Sequence, residues 1–320
     1  MSHEAVCDVV LTRQQLHYLG RYVAGEPSSC SPFHGVKPPE SLPQRALEDL
    51  VSRKMLGPKG VEARLLETLT HLHGAQAFGG LAIRGEVLES EGASFFAGAE
   101  SVALVNVARG LRVVSPAPAA ELASLLGQVL GSGSRREAML DVALGLSEAR
   151  VLAAALDLMR RQSLRDLLDG PTEPVREATL AAWILRDPHP AQWLSGHLTR
   201  LLARRGATFE SRSLPPLVAQ LEGRGLLVAG GGGLGPGPAL APLVRRMALL
   251  DRVLELRALR AHGSSAVAAD IVLVKGDSGA LLLWEAQPDG SLRWVTPSPD
   301  EARETATRLL TRADALAPPP

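Results

Sequence analysis

Aromatic residues are scarce in this chain of 320 residues: five Phe, four Trp and two Tyr make up 3%. The core must therefore be built from Leu, Val and Ala, and the 46% hydrophobic content supplies enough of them. Cysteine is scarcer still. Cys7 and Cys30 cannot staple a disulfide scaffold, and nothing in the sequence supports a bridge between them. An excess of either charge is also lacking, since 34 basic residues face 34 acidic ones. A general nucleic-acid binder needs a basic face to displace counterions, so this balance argues against one. No apolar run approaches the roughly 20 residues needed to cross a bilayer, which argues against membrane insertion. The start, Met1-Ser2-His3-Glu4, lacks the basic region of a secretory signal. These features together predict a soluble cytoplasmic protein.

Constellations that carry chemistry are missing as well. Gly276-Asp277-Ser278-Gly279 matches the nucleophile tetrapeptide of trypsin-like serine proteases. That chemistry needs a His base and an orienting Asp, and no Ala-Ala-His-Cys stretch lies upstream. The tetrapeptide reads instead as a hairpin turn. Gly230-Gly231-Gly232-Gly233-Leu234-Gly235 satisfies the spacing of a dinucleotide loop. Only a short apolar run precedes it, however, and Pro236 and Pro238 interrupt any helix after it, so a wing-like turn is expected. His71 and His73 stand two apart on a helix, where side chains do not face each other. No Cys or carboxylate cluster completes a metal site. His189 and His197 read as surface histidines beside Trp193. Glu62, Glu67, Asp300, Glu301 and Glu304 read as solvated helix faces. The sequence assigns no catalytic, cofactor-binding or metal-binding residue, and predicts a protein that is not an enzyme.

What the chain does contain is a repeat. Leu111-Arg112-Val113-Val114-Ser115-Pro116-Ala117-Pro118 returns 181 residues later as Leu292-Arg293-Trp294-Val295-Thr296-Pro297-Ser298-Pro299. Six of the eight pairs are identical or Ser/Thr exchanges. Each copy follows a polar or glycine turn and precedes an Ala/Glu-rich helical segment. A repeat is the feature to settle first, because missing it misreads the fold.

Periodicity fills in the rest. The first copy predicts helices over 11–24, 44–54 and 61–73, strands over 77–83, 85–90, 102–107 and 111–115, and a closing helix over 119–130. The second predicts helices from 198, 216–224 and 239–250, strands over 253–259, 266–275, 280–286 and 291–296, and a closing helix over 300–311. The expected fold class is α+β: two pseudo-symmetric copies, each a winged-helix-like helix pair with a four-stranded antiparallel sheet and a closing helix. The expected organisation is a first αβ repeat over 1–131, a helical connector over 132–174 and a second repeat over 175–320.

One segment looks like binding surface. Phe95 and Phe96 stand together in 91–100, flanked by Gly92 and Gly98, in the expected loop between the second and third strands. Adjacent residues of a regular strand point to opposite faces, so both rings cannot enter one core. The winged-helix-like units carry few basic residues: Arg45, Arg53 and Lys54 stand against Glu48 and Asp49 in the first, and the second has a single Arg.

This succession resembles the EspG family of type VII secretion chaperones. The likeness rests on the stretch from Leu50 to Leu56, the strand pair Val102-Ala103-Leu104-Val105-Asn106-Val107 and Leu111-Arg112-Val113-Val114, the helix ending Leu125-Leu126-Gly127, and the second copy. The layout covers most of the chain. The resemblance implies a quasi-two-fold α+β fold and a cytosolic, non-enzymatic protein without cofactors that binds PE–PPE substrate pairs before export. It implies a client-binding loop at 91–100, which holds Phe95 and Phe96. The expected function is a non-catalytic, secretion-associated adaptor or chaperone that holds a client protein, such as a helical secretion substrate. The alternative is a winged-helix, transcription-regulator-like protein.

Overall fold

The computed structural model describes residues 7–85, 90–134, 140–170, 173–186, 193–203, 214–262 and 265–311. The first half runs β1 (Cys7–Leu11), α1 (Arg13–Gly20), α2 (Gln44–Ser52), β2 (Leu56–Gly57), β3 (Gly60–Val61) and α3 (Ala63–His73). It continues with β4 (Ala77–Gly85), β5 (Ser90–Ala97), β6 (Glu100–Val107), β7 (Gly110–Ser115) and α4 (Ala119–Leu130). The second half runs β8 (Asp141–Leu144), α5 (Leu146–Asp169), α6 (Glu177–Leu185), α7 (Leu194–Ala203), α8 (Leu214–Gly223), β9 (Leu227–Gly230), β10 (Gly233–Pro236) and α9 (Ala241–Arg246). It ends with β11 (Leu250–His262), β12 (Ser265–Gly276), β13 (Leu281–Ala286), β14 (Leu292–Val295) and α10 (Pro299–Thr311). The fold is α+β.

Ten strands form one antiparallel sheet in the order β1-β7-β6-β5-β4-β11-β12-β13-β14-β8. The halves meet where β4 pairs with β11, from Arg252↔Gly85 to Arg260↔Ala77. One row of partners crosses the whole sheet: Val10, Arg112, Val105, Gly92, Leu81, Leu256, Ile271, Glu285, Arg293, Ala143. Its two ends lie on β1 and β8, and the Leu81–Leu256 pair is its middle.

Strand alternation sends apolar side chains to both faces, so each face needs a cover. Helices α4 and α10 pack together over one face, with Leu126, Val129, Ala306 and Leu310 against Leu81, Leu254, Leu273 and Leu283. On the other face α1 and α3 cover the first half, and Leu16, Leu65 and Leu69 share a core with Val102, Leu104 and Val113. The second half carries a larger stack around α5, whose residues from Ala149 to Arg160 are buried except Arg150. That stack rests on Trp284 and Trp294, cross-strand partners whose rings lie 5.1 Å apart.

Asp157 of α5 pins this stack. It is wholly buried and accepts hydrogen bonds from the Leu194 and Ser195 amides (2.9 and 2.8 Å), the Ser195 hydroxyl (2.7 Å) and Arg160 Nη1 (2.9 Å). A carboxylate at the start of α7 satisfies amides that the helix cannot, and the Arg160 guanidinium pairs its charge. Among the described residues, no helix is long and apolar enough to cross a membrane. Cys7 and Cys30 are both free and buried.

Several elements differ from what the sequence alone suggests. The helix expected over 11–24 is shorter, because a capping box between Thr12 and Gln15 starts it at Arg13. The five residues before it form an edge strand. The connector holds a second edge strand, β8, before its helix, so each half contributes five strands rather than four. The helix expected over 61–73 starts at Ala63, where Glu62 accepts from the Leu65 amide and caps it. The helix expected over 239–250 stops at Arg246, and Leu250 already belongs to β11. Most of the strand expected over 85–90 lies outside the described residues, as do 135–139 of the connector. The segment 91–100, expected as a loop, is mostly strand β5.

Candidate partner-binding site

Period-2 alternation in β5 splits the two phenylalanines between the faces of the sheet. Phe95 is buried at 8% exposure beneath α1 and α3, and its ring lies 5.7 Å from that of its cross-strand partner Phe78. Phe96 points the other way, half-buried, towards α4 and α10. The two-residue turn after it uses Gly98 at φ +64°, a left-handed conformation that glycine adopts without strain, and returns the chain into β6.

Phe96 lines a trough of about 380 Å³ between β5, β6 and β7 below and the first turns of α4 above. Leu122 and Leu125 form its helix wall, and Val105 and Val114 part of its floor. Leu310 and Thr311 close one end, because α10 lies so near the sheet that a Cβ on Gly79 would stand 2.9 Å from the Leu309 carbonyl. Arg112 sits at the mouth and binds Asp8 with both arms, at 2.9 and 2.7 Å, while Glu121 lies 3.7 Å away. The Arg112 hydrogen bonds hold the Asp8 carboxyl below its ordinary pKa.

A second cleft, of about 460 Å³, opens on the opposite face over the β4–β11 seam. Phe78, Phe95 and Leu16 line it beside Arg13, Arg84 and Glu255. Glu255 meets His197 Nδ1 at 3.2 Å and Arg200 at 3.3 Å, with Arg84 at 4.0 Å. Burial pushes its carboxyl up, but the His197 hydrogen bond and the Arg200, His197 and Arg84 charges outweigh burial and bring it down to about 2.

His197 is therefore not at the surface, as the sequence suggested, but lies on the buried side of α7, where it meets Glu255 of β11. His189 lies outside the described residues. His71 and His73 both lie on α3, and the His73 ring stacks near Phe33 at 6.1 Å. Gly276-Asp277-Ser278-Gly279 joins β12 to β13, and the Ser278 hydroxyl donates to the Arg246 carbonyl. Gly231 and Gly232, at φ +59° and +85°, form the two-residue turn between β9 and β10, the arrangement that a tight hairpin requires. Among the described residues, no group of three or more His, Cys, Asp or Glu could hold a metal ion. Sequence reasoning missed Glu255 and Arg112: Glu255 is one of several charges along β11, and Arg112 is the one charge in β7 but has its partner on a strand distant in sequence.

A mixed α+β scaffold with an apolar trough beneath a closing helix is what the geometry defines. No family model matches the chain, and no curated protein matches it. Among solved structures, it is similar to the Mycobacterium tuberculosis type VII secretion system chaperone EspG5 in complex with PE25-PPE41 dimer. That likeness covers 96% of each chain at 11% identity and a TM-score of 0.49.

Proposed function

We propose that this chain is a non-catalytic adaptor or chaperone, of the secretion-associated kind, that holds a client protein in the cytosol. The observation that carries the reading is the half-buried ring of Phe96 in a largely apolar trough. Concave apolar sites with a few polar groups at the mouth are the usual form of a binding site, and aromatic anchors commonly dominate an interface. Phe96 is the anchor in this reading. Phe95, in the core behind it, holds β5 in place. The resemblance of the sequence to the EspG family implies the client class: a helical secretion substrate.

The DNA-binding alternative lacks support. Arg53, just after α2, donates to the Val10 carbonyl on edge strand β1, and Arg224, just after α8, donates to the Ala143 carbonyl on edge strand β8. Both are spent on this chain's own sheet, and α8 itself carries no basic residue.

The test is recovery of a partner by the tagged protein from its native host. One partner should return in near-stoichiometric amount, and Phe96→Ala should weaken it by about 2 kcal/mol, roughly thirtyfold in affinity. The melting temperature should stay within about 4 °C of the parent. Undiminished recovery would remove Phe96 from the interface, and recovery of no partner would remove the adaptor reading.

A further inference from the structure

The face of the sheet that α4 and α10 cover is built from small residues in the first half where the second half has large ones. The row that joins Arg112 to Arg293 fixes the correspondence. Counted from its ends, Gly92, Ser94 and Ala103 stand where the second half has Ile271, Leu273 and Leu283. Those three aliphatic side chains are buried at 2%, 0% and 5% exposure, packed against the α4–α10 layer. In the first half the same positions supply a hydrogen, a hydroxymethyl and a methyl group, and the space left over is the trough. The chain itself thus shows which chemistry fills this shape: branched aliphatic side chains.

Charge narrows the occupant further. Among the described residues that line the trough the single cation is Arg112, which lies between Asp8 at 2.7 Å and Glu121 at 3.7 Å. Among the described residues one carboxylate is therefore in excess there, and Glu121 is the more exposed of the two. A segment entering the trough meets apolar walls and then a negative rim.

We propose that the trough receives a pair of Leu or Ile side chains from a basic segment of the client, which completes from outside the packing that Ile271, Leu273 and Leu283 complete from within. This rests on the adaptor reading and adds the chemistry that the site recognises.

The experiment uses the full chain and a fluorescein-labelled, alanine-based helical peptide with one Leu-Leu pair flanked by lysines. One control peptide replaces the pair by Ser-Ser, and another replaces the lysines by glutamates. Fluorescence anisotropy should show the Leu-Leu, lysine-flanked peptide binding at least about tenfold more tightly than either control. Ser94→Leu with Ala103→Leu, which borrows the second half's residues, should abolish that preference without lowering the melting temperature. If the double variant does not fold, Ala103→Leu alone carries the same expectation. Glu121→Gln should weaken the lysine-flanked peptide about twofold to fivefold. Equal binding of the Ser-Ser peptide, or undiminished binding by the filled variant, would overturn the proposal. Binding that appears only after removal of 312–320 would assign the trough to the chain's own C-terminal segment and overturn it as well. If the peptides fail while a native partner still depends on Phe96, the trough chemistry falls and the adaptor reading stands.

Discussion

At one edge of the sheet Asp8 accepts two hydrogen bonds from Arg112, at 2.9 and 2.7 Å; at the other Asp141 accepts two from Arg293, at 2.8 and 2.6 Å. Arg53 and Arg224 each donate to the carbonyl of an edge strand, and blocked edges resist pairing with other chains. The halves agree in these backbone features and differ in what is stacked on the sheet. The first half carries α1 and α3 on one face and leaves a trough on the other. The second fills its inner face with Ile271, Leu273 and Leu283 and stacks α5 to α9 on the outer one. The two halves of one sheet thus differ in filling: one is packed with large aliphatic side chains, and the other leaves a trough of about 380 Å³.

Breaking the packed half should have the largest effect. Asp157→Ala leaves the Arg160 guanidinium buried without its carboxylate and strips the start of α7 of its cap. A loss of about 3–5 kcal/mol is expected in urea unfolding. A loss below about 1 kcal/mol would show that α5 and α7 are held by apolar packing alone.

Glu255, at the seam, offers a smaller effect that depends on pH. Its folded pKa of about 2 lies below the unfolded value of about 4.3. The ionised carboxylate therefore contributes stability above about pH 4.5, and that contribution is lost as pH falls towards 2. Glu255→Gln should lower the neutral-pH unfolding midpoint and flatten the decline between about pH 4.5 and 2. Parallel curves for the two proteins would count against the His197–Arg200–Glu255 geometry.

The smallest effect tests what the halves share. Asp8→Asn and Asp141→Asn each remove one exposed bidentate pair and should cost about 0.2–1 kcal/mol. The two losses should agree within error and shrink together as salt is raised. A clear inequality would show that the two edges are not held alike.

Much of this was legible in the sequence. The closing strands were marked by the repeated Leu-Arg-x-Val-(Ser/Thr)-Pro, and their helices by the prolines that follow. The separation of Phe95 from Phe96 follows from strand alternation wherever β5 lies. Other features were hidden for definite reasons. Cys7–Leu11 is too short to announce a strand beside a stronger helical signal. His197 looked like a surface histidine because its partner, Glu255, lies 58 residues away.

The sequence by itself determined the mixed α+β class and the strand and helix periods, because these depend on residue type and on neighbours close along the chain. Only the tertiary structure decided that β4 and β11 join the halves into one sheet and that β1 and β8 close its edges. It alone made the trough, since α10 crosses from the far end of the chain to lie against Gly79, and the floor beneath α4 is set by partners on three strands. Such contacts depend on side-chain size across long separations, which no local period encodes.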